Sequence, residues 1–257
     1  MHLNRREFVT RTAGGAAFAF LPSIPRALAD EPALKAQIKA IAFDAFPIFD
    51  PRPVFDLAEQ LFPGKGIELG NEWRARQFEY TWLRVAAGRY VDFWRVTRDA
   101  LVFAAHKAKV ELLPQHRDEL MNAYLGLKTW PEVVPALNSL KKSGLRLALL
   151  SNFTPGMLDA CIKSSGLEGI IEQVLSTDRA KTYKPDPRAY QLGTDSLKLR
   201  REEILFVAFA GWDAAGAKAF GYPTFWVNRL KLPVEELGEV PDGRGNDLSD
   251  LLGFLAK

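Results

Sequence analysis

From residue 130 to residue 227, short apolar runs alternate with amphipathic stretches of about ten residues, and this rhythm constrains the fold more than any other feature of the chain. The apolar runs fall at 145–150, 173–175, 204–208 and 224–227. Helical spacing marks 132–143, 154–165, the stretch opening at Asp186 and Pro187, and 212–220. Strands separated by helices of this length join through right-handed crossovers into one parallel sheet. A further apolar run, Ala40, Ile41, Ala42 and Phe43, ends in Asp44 far upstream and must enter the same sheet. Ligands of such sheets bind beyond the carboxyl ends of the strands, so Asp44 stands where a reactive group would stand. It could equally end a strand or cap a helix.

The segment between the first two strands reads as helix. Residues 54–61, 68–87, 90–107 and 114–127 carry apolar side chains at three- and four-residue spacing, interrupted at Pro63 and Gly64, at Gly88 and at 112–114. The expected fold class is α/β: a Rossmann-like parallel-sheet core formed by residues 30–50 and 129–257, with a helical cap, residues 51–128, inserted after the first strand. Pro47, Pro51 and Pro53 stiffen the way into the cap.

Ahead of the first strand, Arg5 and Arg6, a small apolar stretch at 12–21 and the triplet Ala27, Leu28, Ala29 follow one another in the order of an export leader. Residues 1–29 are expected to be a signal peptide resembling the twin-arginine type, which places the mature chain in the periplasm. Its removal takes four basic residues from 34 and one acidic from 31, leaving 30 of each. A balanced surface gives no reason to expect nucleic acid as a partner, or stable membrane association after cleavage. Cys161, the one cysteine of 257 residues, excludes an intrachain disulfide and a cysteine-based zinc cluster. It reads as a small buried hydrophobe on the helix at 154–165. With His2 in the leader, only His106 and His116 remain, both in polar helical surroundings. Chemistry then rests on carboxylates, lysine and arginine.

Residues just past the strands of a parallel sheet share one edge. Asp44, Ser151 with Asn152, and Asp213 fall there, and Lys184 comes to the same edge before the helix opening at Pro187. Each has a plainer reading. Ser151 or Asn152 could cap the following helix, and Lys184 could be a solvated charge. Asp186 before Pro187 reads as an N-cap only.

Taken in order, Phe43 and Asp44, Leu149 to Asn152, Lys184 with Pro185 and Asp186, and Asp213 resemble the haloacid dehalogenase superfamily. The run 73–84, with Trp73, Arg74, Gln77, Phe78, Tyr80 and Trp82, looks like the signature of its L-2-haloacid dehalogenase (type II) family. So do Tyr90 with Phe93, the run from Tyr183 to Tyr190, and Gly211, Trp212, Asp213 with Gly216. The resemblance implies hydrolytic dehalogenation of short 2-haloalkanoic acids with no metal and no cofactor. Asp44 would displace halide from C2 and form an ester. Arg74, Asn152 and the ring edge of Phe93 would cradle the halide. Lys184, assisted by Ser151, would hold Asp44 ionised, and Ser151 would help bind the substrate carboxylate. Asp213 would activate the hydrolytic water, with Phe46, Phe78, Tyr190 and Trp212 around the pocket. Dimers are common in the family, although no stripe in this sequence argues for a homodimer. Arg74 and Phe78 sit one helical turn apart and face the same way; the plainer reading of Arg74 is a surface salt bridge.

Two loops depart from the family pattern. Superfamily phosphatases carry a second aspartate two places after the first; here that place is Phe46, which can neither protonate a leaving group nor help hold a metal. Phe46 also lacks the hydroxyl of the family's usual tyrosine, and Pro47 removes a backbone N–H. Ala208, Phe209 and Ala210 stand where the family usually has Ser, Ser and Asn. The alternatives are therefore a phosphatase of the same superfamily, or a catalytically impaired relative that binds small carboxylates.

Overall fold

The computed structural model describes residues 37–256. Six parallel strands form one sheet in the order β3-β2-β1-β4-β5-β6. β1 (Ala40–Phe43) lies inside it, with Phe43 opposite Leu149 of β2 (Arg146–Ser151) and Val207 of β4 (Ile204–Ala208). Its side chains alternate between two cores: Ile41 and Phe43 pack with Leu149 and Val207, Ala40 and Ala42 with Leu150 and Phe206. Burial on both faces is why the strand reads as an unbroken apolar run.

β3 (Gln173–Ser176) extends the sheet beyond β2, while β5 (Thr224–Val227) and β6 (Gly243–Gly245) extend it beyond β4. The chain thus builds outward from β1 in one direction and restarts at β4 in the other. That reversal, between β1 and β4, is where such sheets open a crevice for ligands.

Helices α1 (Arg52–Leu61), α2 (Gly66–Ala86), α3 (Phe93–Ala108) and α4 (Pro114–Ala123) fill the segment after β1, and α5 (Val133–Lys142) leads into β2. The chain leaves and returns at one place: the Asp50 N–H donates to the Lys128 carbonyl at 2.8 Å, and Phe49 bridges Thr129. Thr97 locks α2 to α3, accepting from Trp73 Nε1 on its carbonyl (2.8 Å) and from Gln77 Nε2 on its hydroxyl (2.7 Å). Two tyrosines tie these helices to the sheet domain. The Tyr183 hydroxyl donates to the Val91 carbonyl, and the Tyr90 hydroxyl donates to Asp178 at 2.7 Å.

After β2 come α6 (Pro155–Ser165), α7 (Pro187–Leu197), α8 (Gly211–Phe220) and α9 (Leu248–Ala256). Asp186 caps α7 as expected, accepting from the Arg188 N–H at 2.9 Å. Cys161 is buried on α6, and burial pushes its thiol up to about 12, which leaves it inert near neutrality.

Four elements differ from the sequence reading. The helix expected from residue 90 begins at Phe93, because Asp92 caps it by accepting from the Arg95 N–H at 2.8 Å; Tyr90 instead packs its ring on Tyr183. The helix expected to run to 127 ends at Ala123. β6 and α9 arise where no element was expected. β6 is Gly-Arg-Gly, with no apolar residue to announce a strand, and its glycines are there for close approach. A Cβ on Gly243 would lie 2.7 Å from the Phe254 ring, and one on Gly245 would lie 2.3 Å from the Asp250 Cβ. The expected leader, residues 1–29, lies outside the described residues.

Candidate active site

Asp44 follows β1 directly, Ser151 ends β2 with Asn152 next, and the first turn of α8 carries Asp213 in after β4. Lys184 reaches the same point from the chain ahead of α7. Its ammonium lies between two carboxylates, 2.8 Å from Asp44 Oδ1 and 2.6 Å from Asp213 Oδ2. Side-chain exposure is 1% for Lys184, 2% for Asp213 and 13% for Asp44, so Asp44 is the one open to a ligand. Its other oxygen accepts the Phe46 N–H at 3.2 Å.

Burial works to discharge Lys184, but the two flanking carboxylates outweigh it and the pKa of the ammonium is raised. Burial raises Asp213, Lys184 opposes the rise, the Asp44 charge adds to it, and the carboxyl settles at about 6. The Tyr190 hydroxyl donates to Asp213 Oδ1 at 2.7 Å, and burial followed by the Asp213 charge holds its pKa well above the usual value, so it stays a donor. Gly216 on α8 makes room for this contact: a Cβ there would stand 2.7 Å from the Tyr190 hydroxyl and 2.6 Å from Pro185 Cβ.

A cavity of about 310 Å³ opens above Asp44. Phe46, Arg74, Phe78, Phe93, Ser151, Asn152 and Trp212 all line it, together with Lys184 and Asp213. The Asn152 carbonyl oxygen is engaged by the Lys184 backbone N–H (3.0 Å) and the Thr177 hydroxyl (3.2 Å), so what Asn152 can offer a ligand is its amide N–H. Arg76, two residues along α2 and on another face, forms the kind of surface salt bridges that are the plainer reading of Arg74, 2.9 Å to Glu72 and 2.6 Å to Glu79. Among the described residues the Arg74 guanidinium has no carboxylate partner, and it stands at the cavity as an available cation.

Two expectations change. Tyr190 does not line the cavity; it is fully buried behind Asp213, because its position on α7 turns it toward α8. Ser151 does not touch the Lys184 ammonium, whose hydrogen bonds go to the two carboxylates. Its oxygen accepts the Phe153 N–H at 3.2 Å, which leaves the O–H to donate.

Sequence reasoning did not single out Tyr124, Trp130, Leu230 or Leu232, which also line the cavity. Trp130 holds the first loop by donating from Nε1 to the Phe46 carbonyl at 2.9 Å. The two unusual loops meet. The Phe46 ring lies 5.8 Å from that of Phe209 and edge-on to Phe153 at 5.4 Å. Ala210 stands at the N-cap of α8 and offers it no side-chain cap.

A parallel sheet with helices inserted after its first strand, a partly exposed carboxylate directly after that strand, and a buried lysine shared with a second carboxylate define a hydrolase of the capped α/β kind. Residues 36–221 match the haloacid dehalogenase-like hydrolase family. An (S)-2-haloacid dehalogenase of Pseudomonas sp. strain YL is 44% identical over 80% of this chain and 89% of its own. A haloacetate dehalogenase of Moraxella sp. strain B is 42% identical over 80% and 92%. Among solved structures, the L-2-haloacid dehalogenase of Xanthobacter autotrophicus with chloropropionic acid covalently bound superposes with a TM-score of 0.80 at 33% identity, covering 85% of this chain and 98% of that one. The chain belongs to the haloacid dehalogenase-like hydrolases, in the branch of the 2-haloacid dehalogenases.

Proposed function

We infer that the protein hydrolyses 2-haloalkanoic acids through an ester on Asp44. The observation that carries the reading is the Asp44 carboxylate itself, oriented by Lys184 and the Phe46 N–H and facing a cavity lined by Arg74, which has no carboxylate partner among the described residues. In this mechanism one Asp44 oxygen attacks C2 opposite the halogen. The carbon–oxygen bond forms as the carbon–halogen bond breaks, and the halide leaves with the electron pair and inverted configuration at C2. Arg74, the Asn152 amide and the Phe93 ring edge receive the halide, while the Ser151 hydroxyl donates to the substrate carboxylate. Water then attacks the Asp44 carboxyl carbon and gives a proton to Asp213; the bond between that carbon and the ester oxygen breaks, the proton passes from Asp213 to the leaving oxygen, and the 2-hydroxy acid departs with the oxygen that Asp44 supplied. Lys184 stays charged throughout and keeps both carboxylates in place. Both site carboxylates are engaged by Lys184, and Phe46 brings no third, which favours this displacement over metal-assisted phosphoryl transfer.

Ala208 and Ala210 bring no polar side chain to the hydrolytic water, so ester hydrolysis is expected to be the slower step. Purified mature protein with (S)-2-chloropropionate in EDTA should release chloride, and quenched samples should carry the acid as an adduct on the peptide containing Asp44. Binding of lactate without chloride or adduct would instead favour a non-catalytic carboxylate-binding relative; metal-dependent release of phosphate from a phosphomonoester would favour the phosphatase.

Export is part of the proposal, carried by Arg5, Arg6 and the Ala27 to Ala29 triplet. Periplasmic protein from cells with a working twin-arginine pathway should begin at Asp30, and retention of residue 1 in all fractions would refute it.

A further inference from the structure

The cavity is unevenly lined. Ser151, Asn152 and Arg74 stand toward β2 and the inserted helices. Moving from Asp44 the other way, across β4 to β5, the lining becomes Phe209, then Leu230 and Leu232, with two polar residues beside them: Asn228, spent on the Leu232 backbone, and Glu235, at the exposed rim against Gly211. Phe209 is fixed at both ends, its ring against Phe46 and its carbonyl accepting from Trp226 Nε1 at 3.0 Å. The leucines stand at the rim, 51% and 50% exposed, on a turn closed by a pair of hydrogen bonds: Asn228 Nδ2 donates to the Leu232 carbonyl at 2.7 Å and accepts the Leu232 N–H on Oδ1 at 2.9 Å. Apolar surface is thus held open to water in a fixed position, continuous with the reaction site. The 310 Å³ of the cavity is at the lower end of the range that holds drug-sized ligands, about 300–1,000 Å³, and exceeds what a two-carbon or three-carbon acid fills.

We propose that the wall from Phe46 and Phe209 to Leu230 and Leu232 is a subsite for an alkyl chain on C2, so that the protein turns over medium-chain 2-haloalkanoates in preference to haloacetate or 2-halopropionate. This rests on the dehalogenase reading and narrows its substrate. Each methylene moved from water into such a site strengthens binding about fourfold, so three extra methylenes can supply more than tenfold even when part of the chain stays wet.

The test compares kcat/KM for (S)-2-bromohexanoate and (S)-2-bromopropionate. The wild-type ratio should be at least ten and should fall about tenfold in Phe209→Ser. Should that variant fold poorly, Leu232→Glu, at the half-exposed rim, should lower the ratio as well. Bromide release with a ratio of one or less overturns the subsite and leaves the dehalogenase reading standing. Absence of bromide from every substrate overturns the dehalogenase reading. The subsite is then decided by thermal shift, where stronger stabilisation by 2-hydroxyhexanoate than by lactate supports it and equal or no stabilisation overturns it.

Discussion

Lys184→Met is expected to lose at least about a thousandfold in turnover and to melt well below the wild type, by a margin that widens as pH rises. The ammonium is buried between Asp44 and Asp213 and is the cation hydrogen-bonded to each. Removing one partner of a buried charge pair costs roughly 3–5 kcal/mol because the other charge is stranded, and for a chain of this size that corresponds to a fall of about 10 °C or more in Tm. Asp213 already sits at about 6 with Lys184 holding it down, so without the lysine it rises further. A carboxyl raised above its unfolded value contributes stability that is fully present below about pH 4 and is lost as pH rises through its folded pKa. The deficit of the variant should therefore be small at pH 5 and near its full size at pH 8. Melting curves of both proteins across that range measure it; a deficit independent of pH would mean that Asp213 does not depend on this lysine.

The same triad shows what a single sequence makes legible. Asp44, Ser151, Asn152 and Asp213 could be gathered from the linear chain because parallel strands place all their carboxyl ends on one edge, so that position relative to an apolar run is enough. Tyr190 could not be placed that way. It lies within a helix, and whether it faces the cavity or the back of Asp213 depends on how α7 packs against α8, which Gly216 permits and no local pattern announces. β6 was invisible for a related reason: its glycines serve a close approach to Phe254 and Asp250, which exists only after folding. The start of α3 was misplaced by three residues, because apolar spacing continues through Tyr90 while the Asp92 cap decides where helical backbone begins.

Phe46 and Phe209 fall between these cases. Each was visible as a departure from the family pattern, and each could be read as the loss of a polar group. Their contact follows from β1 and β4 being neighbours, which places the two loops side by side. A polar pair there would need hydrogen-bond partners or water, whereas two rings satisfy one another. One change therefore makes the other favourable, and the outcome is an apolar floor on the β4 side of Asp44.

Asp44→Asn and Asp213→Asn are expected to fail at different steps, and the difference tests the assignment of both carboxylates. Asp44→Asn removes the nucleophile, and turnover should fall by at least about 10⁴, with no burst of halide and no adduct. Asp213→Asn leaves Asp44 and its contact with Lys184 in place, so each molecule should still release about one halide and then stop, carrying the ester. Loss of a general base costs about 10² to 10⁴ in rate, and that loss should fall on the second step alone. The pH dependence of the wild type follows the same division. Alkylation of Asp44 removes a negative charge that helps raise Asp213, so in the ester the carboxyl of Asp213 is a stronger acid than in the free protein. The acid limb of kcat should accordingly lie below the value of about 6 that Asp213 holds in the free protein, and the ester should accumulate as pH falls through that limb. Rapid-quench mass spectrometry of the two variants and of the wild type at several pH values reads all of this directly. A halide burst in Asp44→Asn, or undiminished turnover in Asp213→Asn, would assign the chemistry to other groups.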